Sequence, residues 1–216
     1  MRLILFILYT FGVATAFAQQ RPNIIYIMSD DHDGQAISAY NKTFIQTPNI
    51  DRIAKEGMRF DNAFVGNSIC GPARATLLTG QHSHKNGMLT NRTRFDSSKI
   101  TVVKLLQDAG YQTAVIGKWH LHSYPTGFDY WKILPGQGLY YQPRLINMMG
   151  DTATYKGYAS DVITDETVKW LDSRDKTKPF LLLLHHKAPH RYFFAPLKYI
   201  KKFHNKKFPE PATLYS

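Results

Sequence analysis

Apolar positions along the 216-residue chain fall into short blocks separated by polar, turn-forming stretches. Residues 23–28 read Asn-Ile-Ile-Tyr-Ile-Met, β-branched and apolar without alternation. Such a run fits a strand buried on both faces. Ile50, Ile53 and Ala54 recur at helical spacing between Thr47-Pro48 and Gly57, which predicts a short helix. The mixed run 58–65 reads as a short strand. Val102, Leu105, Leu106 and Ala109 form the apolar stripe of a helix over 101–109, closed by Gly110, and a strand follows over 111–116. Between Leu121 and Gly157 the chain is rich in Gly, Pro and Tyr, and the pattern predicts long loops with few regular elements. Ala159, Ile163, Thr167 and Trp170 share one side of a helix over 158–171, and Phe-Leu-Leu-Leu-Leu at 180–184 reads as a solid buried strand.

The recurring order of strand, polar loop and helix predicts an α/β fold with a largely parallel sheet and helices on both faces. In open sheets of this kind ligands bind beyond the C-terminal ends of the strands. Three predicted strands end in chemically rich clusters: Asp30-Asp31, Lys118 to His120, and His186 to His190.

The first apolar block is set apart from the fold. Arg2 precedes the apolar run 3–13, and Ala16-Phe17-Ala18 has the small-x-small pattern that a signal peptidase cuts. Residues 1–18 are therefore expected to be a signal peptide, with Gln19 first in an exported, periplasmic or secreted protein. The run is short for a membrane span, so no stable membrane insertion is expected.

A formal net charge of +11 favours an anionic partner. Nucleic acid is not expected, because zinc-finger spacing, RNA-binding aromatic motifs and long basic helices are all missing. The densest basic run, Lys198 to Lys207, is either a solvated surface segment or a contact surface for a polyanion. The sequons beginning at Asn41 and Asn91 fit surface loops.

Cys70 is the single cysteine, so it has no disulfide partner within the chain. It is a buried filler, a free thiol or a residue kept for chemistry. Pro72 suits the first turn of a helix that Gly80 closes, which places Cys70 just before the helix N-terminus. Free N–H groups there favour an anion and acidify a nearby thiol, and Arg74, one turn in, adds a planar donor fork. Asp30 and Asp31 are either a solvated loop or hard oxygen ligands for a cation that relieves their repulsion.

These residues also carry a family resemblance. Cys70-Gly71-Pro72-Ala73-Arg74 is similar to the Cys-x-Pro-x-Arg signature of the type I, formylglycine-dependent sulfatases, and the longer signature continues to Gly80. Gly110-Tyr111-Gln112-Thr113 with Gly117-Lys118-Trp119-His120 resembles the second signature of that family. Asp30-Asp31 resembles its metal pair and Pro189-His190 its later histidine. Asp31-His32-Asp33 and the run from His185 to Arg191 look like carbohydrate sulfatases of the N-acetylglucosamine-6-sulfatase kind.

The resemblance implies an alkaline-phosphatase-like sulfatase fold and hydrolysis of a sulfated carbohydrate. It implies that a separate maturation enzyme oxidises Cys70 to formylglycine, whose hydrate carries one hydroxyl to attack sulfur and a second to expel sulfate. Asp30, Asp31 and the modified Cys70 would then bind Ca2+, Arg74 would hold the hydrated aldehyde and Lys118 the sulfate oxygens. His120 would be the base of elimination and His190 the donor to the leaving oxygen. His32, His122, His185 and His186 are read as packing or substrate-contact residues. Family members are much longer, so residues 19–216 read as an incomplete N-terminal portion of the catalytic domain. Two other readings stay open: a phosphonate or phosphate ester hydrolase of the same superfamily, and an inactive sulfatase-derived binding fragment.

Overall fold

The structure, a computed structural model, describes residues 21–210 and 212–215. The expected signal peptide lies outside the described residues. The centre is a six-stranded sheet. Its strands are β1 (Ile24–Met28), β2 (Gln112–Lys118), β3 (Tyr130–Leu134), β4 (Arg144–Asn147), β5 (Thr152–Thr154) and β6 (Phe180–His185), in spatial order β1-β6-β2-β3-β4-β5. β1, β6, β2 and β3 run parallel, while β4 and β5 are added antiparallel. The parallel part matches the expected class, and β6 is buried along its whole length, as its unbroken apolar run requires.

Helices cover both faces. α2 (Cys70–Thr79) and α4 (Val102–Asp108) contribute Ala75, Leu78 and Val103 to a core with Val115, Leu181 and Leu183. On the other face α5 (Ala159–Ser173) packs Ala159, Ile163 and Trp170 onto Ala114, Ile116, Leu182 and Leu184. The alternation of strand side chains sends odd and even residues of β6 into these two cores. α1 (Pro48–Glu56), α3 (Ser83–Asn86) and α6 (Leu197–Phe203) are peripheral. No helix among the described residues is long and apolar enough to cross a membrane.

Four expectations are corrected. β1 forms as expected but is not buried on both faces: it lies at the edge of the sheet, with Ile25, Tyr26 and Ile27 substantially exposed. The run 58–65 forms no strand; it is irregular and exposed, with Phe64 standing almost wholly in solvent. The stretch 121–157 holds three strands, β3 to β5, where long loops were expected. Their short lengths and the intervening glycines hide the period-two pattern, and successive pairing, β3 on β2, β4 on β3 and β5 on β4, supplies the order that local propensity lacks. In α4 the buried residue is Val103, with Leu106 half-buried, whereas Val102 and Leu105 are exposed along a groove shared with Tyr26 and Leu77. The basic run 198–207 is a largely exposed surface segment around α6, with Lys202 and Lys206 laid over the Phe203 ring.

Candidate active site

Because β1, β2 and β6 are parallel, their C-terminal ends meet at one edge of the sheet. The chain leaves β1 and β6 as a joined pair: the Asp30 N–H donates to the Ala188 carbonyl at 3.1 Å and the His186 N–H to that of Met28 at 2.8 Å. Gly117 lets β2 come as close as it does to β6. Its φ is +109°, and a Cβ there would lie 2.0 Å from the His185 carbonyl oxygen. Just past the strand ends, Asp31 (φ 55°) and His120 (φ 56°) adopt the left-handed conformation. Non-glycine residues rarely take it, and it is concentrated at functional turns.

α2 supplies the other wall. The helix begins at Cys70 itself, one position earlier than expected, after an extended Ile69 that offers no side-chain cap. Asn91 caps it instead: its Oδ1 accepts from the Gly71 N–H at 2.8 Å. Gly80 closes α2 in the left-handed conformation as expected. Asn91, read as part of a surface sequon, is therefore half-buried and engaged at the base of the site.

The cysteine, the acidic pair and the cations converge. An oxygen of Asp30, the Cys70 Sγ and a nitrogen of His190 lie within 4.8 Å of one another. Lys118, fully buried, donates from Nζ to Asp30 Oδ2 and to Gln137 Oε1, and stands 3.8 Å from the Cys70 Sγ. Arg74, also buried, donates from Nη1 to the Lys118 carbonyl at 2.7 Å, and its Nη2 is 3.7 Å from Asp30 Oδ1. Arg74 Nε and Nη2 have no hydrogen-bond partner among the described residues. His190 Nε2 is 3.7 Å from Asp31 Oδ2, although the Asp31 side chain is half exposed.

Electrostatics sorts these groups. Burial pushes the Cys70 thiol up; Lys118 pulls it down, and Asp30 and Asp31 push it up again. The net direction opposes the acidified thiol expected from the helix N-terminus, so the unmodified sulfur stays protonated and is a poor nucleophile. His120 is held down to about 4 by burial first and then by Lys118 and Arg74, so it is neutral near pH 7 and able to accept a proton. His185 is fully buried and pushed well below the ordinary histidine range by burial and by Arg74. Its Nδ1 lies 3.0 Å from Arg74 Nη1 and 3.2 Å from the Lys118 carbonyl oxygen; one tautomer accepts from the guanidinium and the other donates to the carbonyl, and in either His185 backs Arg74.

The structure thus brings Cys70, Arg74, Lys118, Asp30 and His190 together, with His120 just beyond Lys118 and Asp31 at the rim. Among the described residues His32 bonds only to Ser29, at 3.2 Å, and His122 leans on the Asn91 carbonyl. Sequence reasoning missed Asn91, Gln137, Tyr140 and Lys187. Asn91 and Gln137 meet the site only through contacts spanning 20 and 19 residues, a relation no local motif displays.

The donor set has to suit both a cation and the oxidised cysteine. Thiol sulfur, imidazole nitrogen and one carboxylate would suit a soft metal, whereas calcium demands oxygen ligands. Oxidation of Cys70 to formylglycine exchanges the sulfur for oxygen, and Asp31 stands beside Asp30. The place also already attracts positive charge, since the Lys118 ammonium is drawn onto Asp30. Asp30, Asp31 and an oxidised residue 70 thus offer oxygen donors of the kind calcium takes, though fewer than the roughly six to eight it commonly holds.

Comparison with known proteins agrees with this geometry. The sulfatase family profile matches residues 22–213. An N-acetylglucosamine-6-O-sulfatase of Bacteroides thetaiotaomicron is 52% identical over 91% of this chain and 36% of its own length. An ulvan-active sulfatase of Formosa agariphila is 32% identical over 83% of this chain and 38% of its own. A solved structure in complex with its substrate, D-glucosamine-2-N,6-O-disulfate, superposes with a TM-score of 0.89 at 52% identity, covering 91% of this chain and 40% of that one. The chain thus spans 36% and 38% of the lengths of these two relatives. With its mostly parallel sheet and the Cys70 signature at the strand ends, the chain belongs to the sulfatase family.

Proposed function

We propose that this chain carries the reaction centre of a formylglycine-dependent sulfuric ester hydrolase that removes sulfate from a sulfated carbohydrate. The activity is proposed for the protein that contains the chain at the length of its relatives. One observation carries the reading: Cys70, Asp30 and His190 converge within 4.8 Å, with the buried Lys118 and Arg74 held on the same carboxylate. Asp30, Asp31 and an oxidised residue 70 would hold a calcium ion, which would supply fixed positive charge, and formylglycine made at Cys70 by a maturation enzyme would supply a hydrated aldehyde as nucleophile.

The chain's own side chains are assigned the remaining work. Arg74 has donors to spare and lies one turn from residue 70, so it orients the modified side chain. Lys118 directs an ammonium at the sulfate oxygens, where a preorganised charge in a dry site stabilises the transition state most. His120, neutral at working pH, takes the proton as the aldehyde is regenerated. His190 donates from Nδ1 to the Arg191 carbonyl, so Nε2 can pass a proton to the departing sugar oxygen only from the imidazolium, in which both nitrogens carry hydrogen. The substrate is a 6-O-sulfated N-acetylglucosamine or a related glycosaminoglycan sugar, a reading supported by the 52% relative; the signal-peptide pattern of residues 1–18 supports export.

Sulfate release from a panel of singly sulfated sugars by the matured protein tests this. Activity is expected on 6-O-sulfated glucosamine derivatives and to be lost in Cys70→Ala, with the folded state retained. Higher efficiency on an aryl phosphonate than on any sulfate ester, or normal turnover by Cys70→Ala, would overturn it.

A further inference from the structure

Lys187 sits two residues past β6, with its side chain 5% exposed. Its ammonium stands 4.6 Å from the centroid of the Tyr140 ring. Among the described residues no hydrogen-bond acceptor and no carboxylate within ion-pair range engages it. Buried charges are normally paired, because removing an ammonium from water is costly and a ring face returns only part of that cost.

Its neighbours are committed elsewhere. Lys118 donates to Asp30 and Gln137, and Arg74 to the Lys118 carbonyl. Of the three buried cations at this edge of the sheet, Lys187 alone keeps all its N–H donors unengaged among the described residues. It lines a cavity of about 340 Å³ with Gln137, Tyr140, His190, Arg191 and Tyr192. Lys118, Asp30, Cys70 and Asp31 all act on it electrostatically, so it lies within the field of the reaction centre.

We propose that Lys187 is an anion-binding residue of this centre, its ammonium taking an oxygen of the ester's sulfate group beside Lys118. The inference rests on the sulfatase reading for the identity of the anion. Tyr140 fixes the side chain from behind: its ring faces the ammonium, and its hydroxyl donates to the His190 carbonyl. The same ring thereby couples Lys187 to the loop that presents His190. A lysine that contacts sulfate, and not the sugar, contributes alike to every sulfate ester the enzyme accepts.

The test uses Lys187→Met, which keeps the stem on Tyr140 and deletes the charge, and Lys187→Arg, which keeps the charge. Inorganic sulfate is the probe, titrated calorimetrically into the matured protein at fixed ionic strength, with N-acetylglucosamine as the uncharged control. Lys187→Met is expected to weaken sulfate binding about tenfold or more and to leave the sugar control unchanged, while Lys187→Arg stays within about threefold of the native protein. In turnover, kcat/KM is expected to fall by about two orders of magnitude in Lys187→Met, equally for an aryl sulfate and a 6-O-sulfated sugar. If Lys187→Met does not melt cooperatively, Lys187→Gln is read in its place. Unchanged sulfate affinity in the charge-deleted variant, no sulfate binding by the native protein, or a loss confined to one sugar would overturn the inference. Native protein that binds sulfate through Lys187 and hydrolyses no sulfate ester would leave it standing and remove the proposed function instead.

Discussion

His120 and His185 are both held neutral by burial next to cations, His120 by Lys118 and Arg74 and His185 by Arg74. Their folded pKa values lie below the unfolded value of about 6.5. Above that pH both states are neutral and the shift contributes nothing. As pH falls through it, the unfolded chain takes up protons that the folded chain refuses, so stability declines until the folded value is reached, about 4 for His120. Each such histidine contributes a slope of up to about 1.4 kcal/mol per pH unit in this window. Urea midpoints at pH 7, 6 and 5 are expected to fall steadily, and His185→Phe to flatten the decline; equal midpoints at pH 7 and 5 would contradict the assignment. At this scale the sequence was partly readable. Cys70, Arg74 and Lys118 sit in motifs whose spacing alone suggests a site. His185 read as packing or substrate contact, and its place beside Arg74 and the Lys118 carbonyl, 111 and 67 residues away in sequence, depends on strand register. Lys187 gave no signal because its unpaired state is a property of the folded surroundings.

Elements were most legible where burial is complete. β6 and the interior of β2 are buried on both faces, so their apolar runs announce them. α5 shows its helical stripe because one face alone meets the sheet. β3 to β5 were obscured because their order comes from neighbours. Asp129 shows how: just before β3, its carboxylate accepts from the Thr113 N–H at 2.8 Å at the start of β2 and from Gln107 Nε2 at 2.7 Å in α4. One side chain thus ties two strands and a helix. Asp129→Ala leaves the Thr113 N–H and hydroxyl without that acceptor, and the expected loss is about 1–3 kcal/mol in a chemical denaturation curve. A loss below about 0.5 kcal/mol, the size of a generic surface change, would show that β3 is placed by other contacts.

Across the whole molecule, the sheet gathers the site from four distant parts of the sequence. β1 brings the acidic pair, α2 the cysteine and Arg74, β2 Lys118 and His120, and β6 with its following loop His190 and Lys187. β1 is also the least covered strand, with Ile25, Tyr26 and Ile27 substantially exposed, while the site at its C-terminal end is buried around Asp30. In the proposed reading Cys70, left protonated by its surroundings as a thiol, acts only after oxidation to formylglycine. The most direct measurement is the mass of the tryptic peptide spanning residues 60–74, from protein produced with a formylglycine-generating enzyme. Conversion of the thiol side chain to an aldehyde lowers that mass by about 18 Da, and the converted peptide is the expected product. A peptide that keeps the unmodified cysteine mass in protein that nevertheless hydrolyses a sulfate ester would contradict the account.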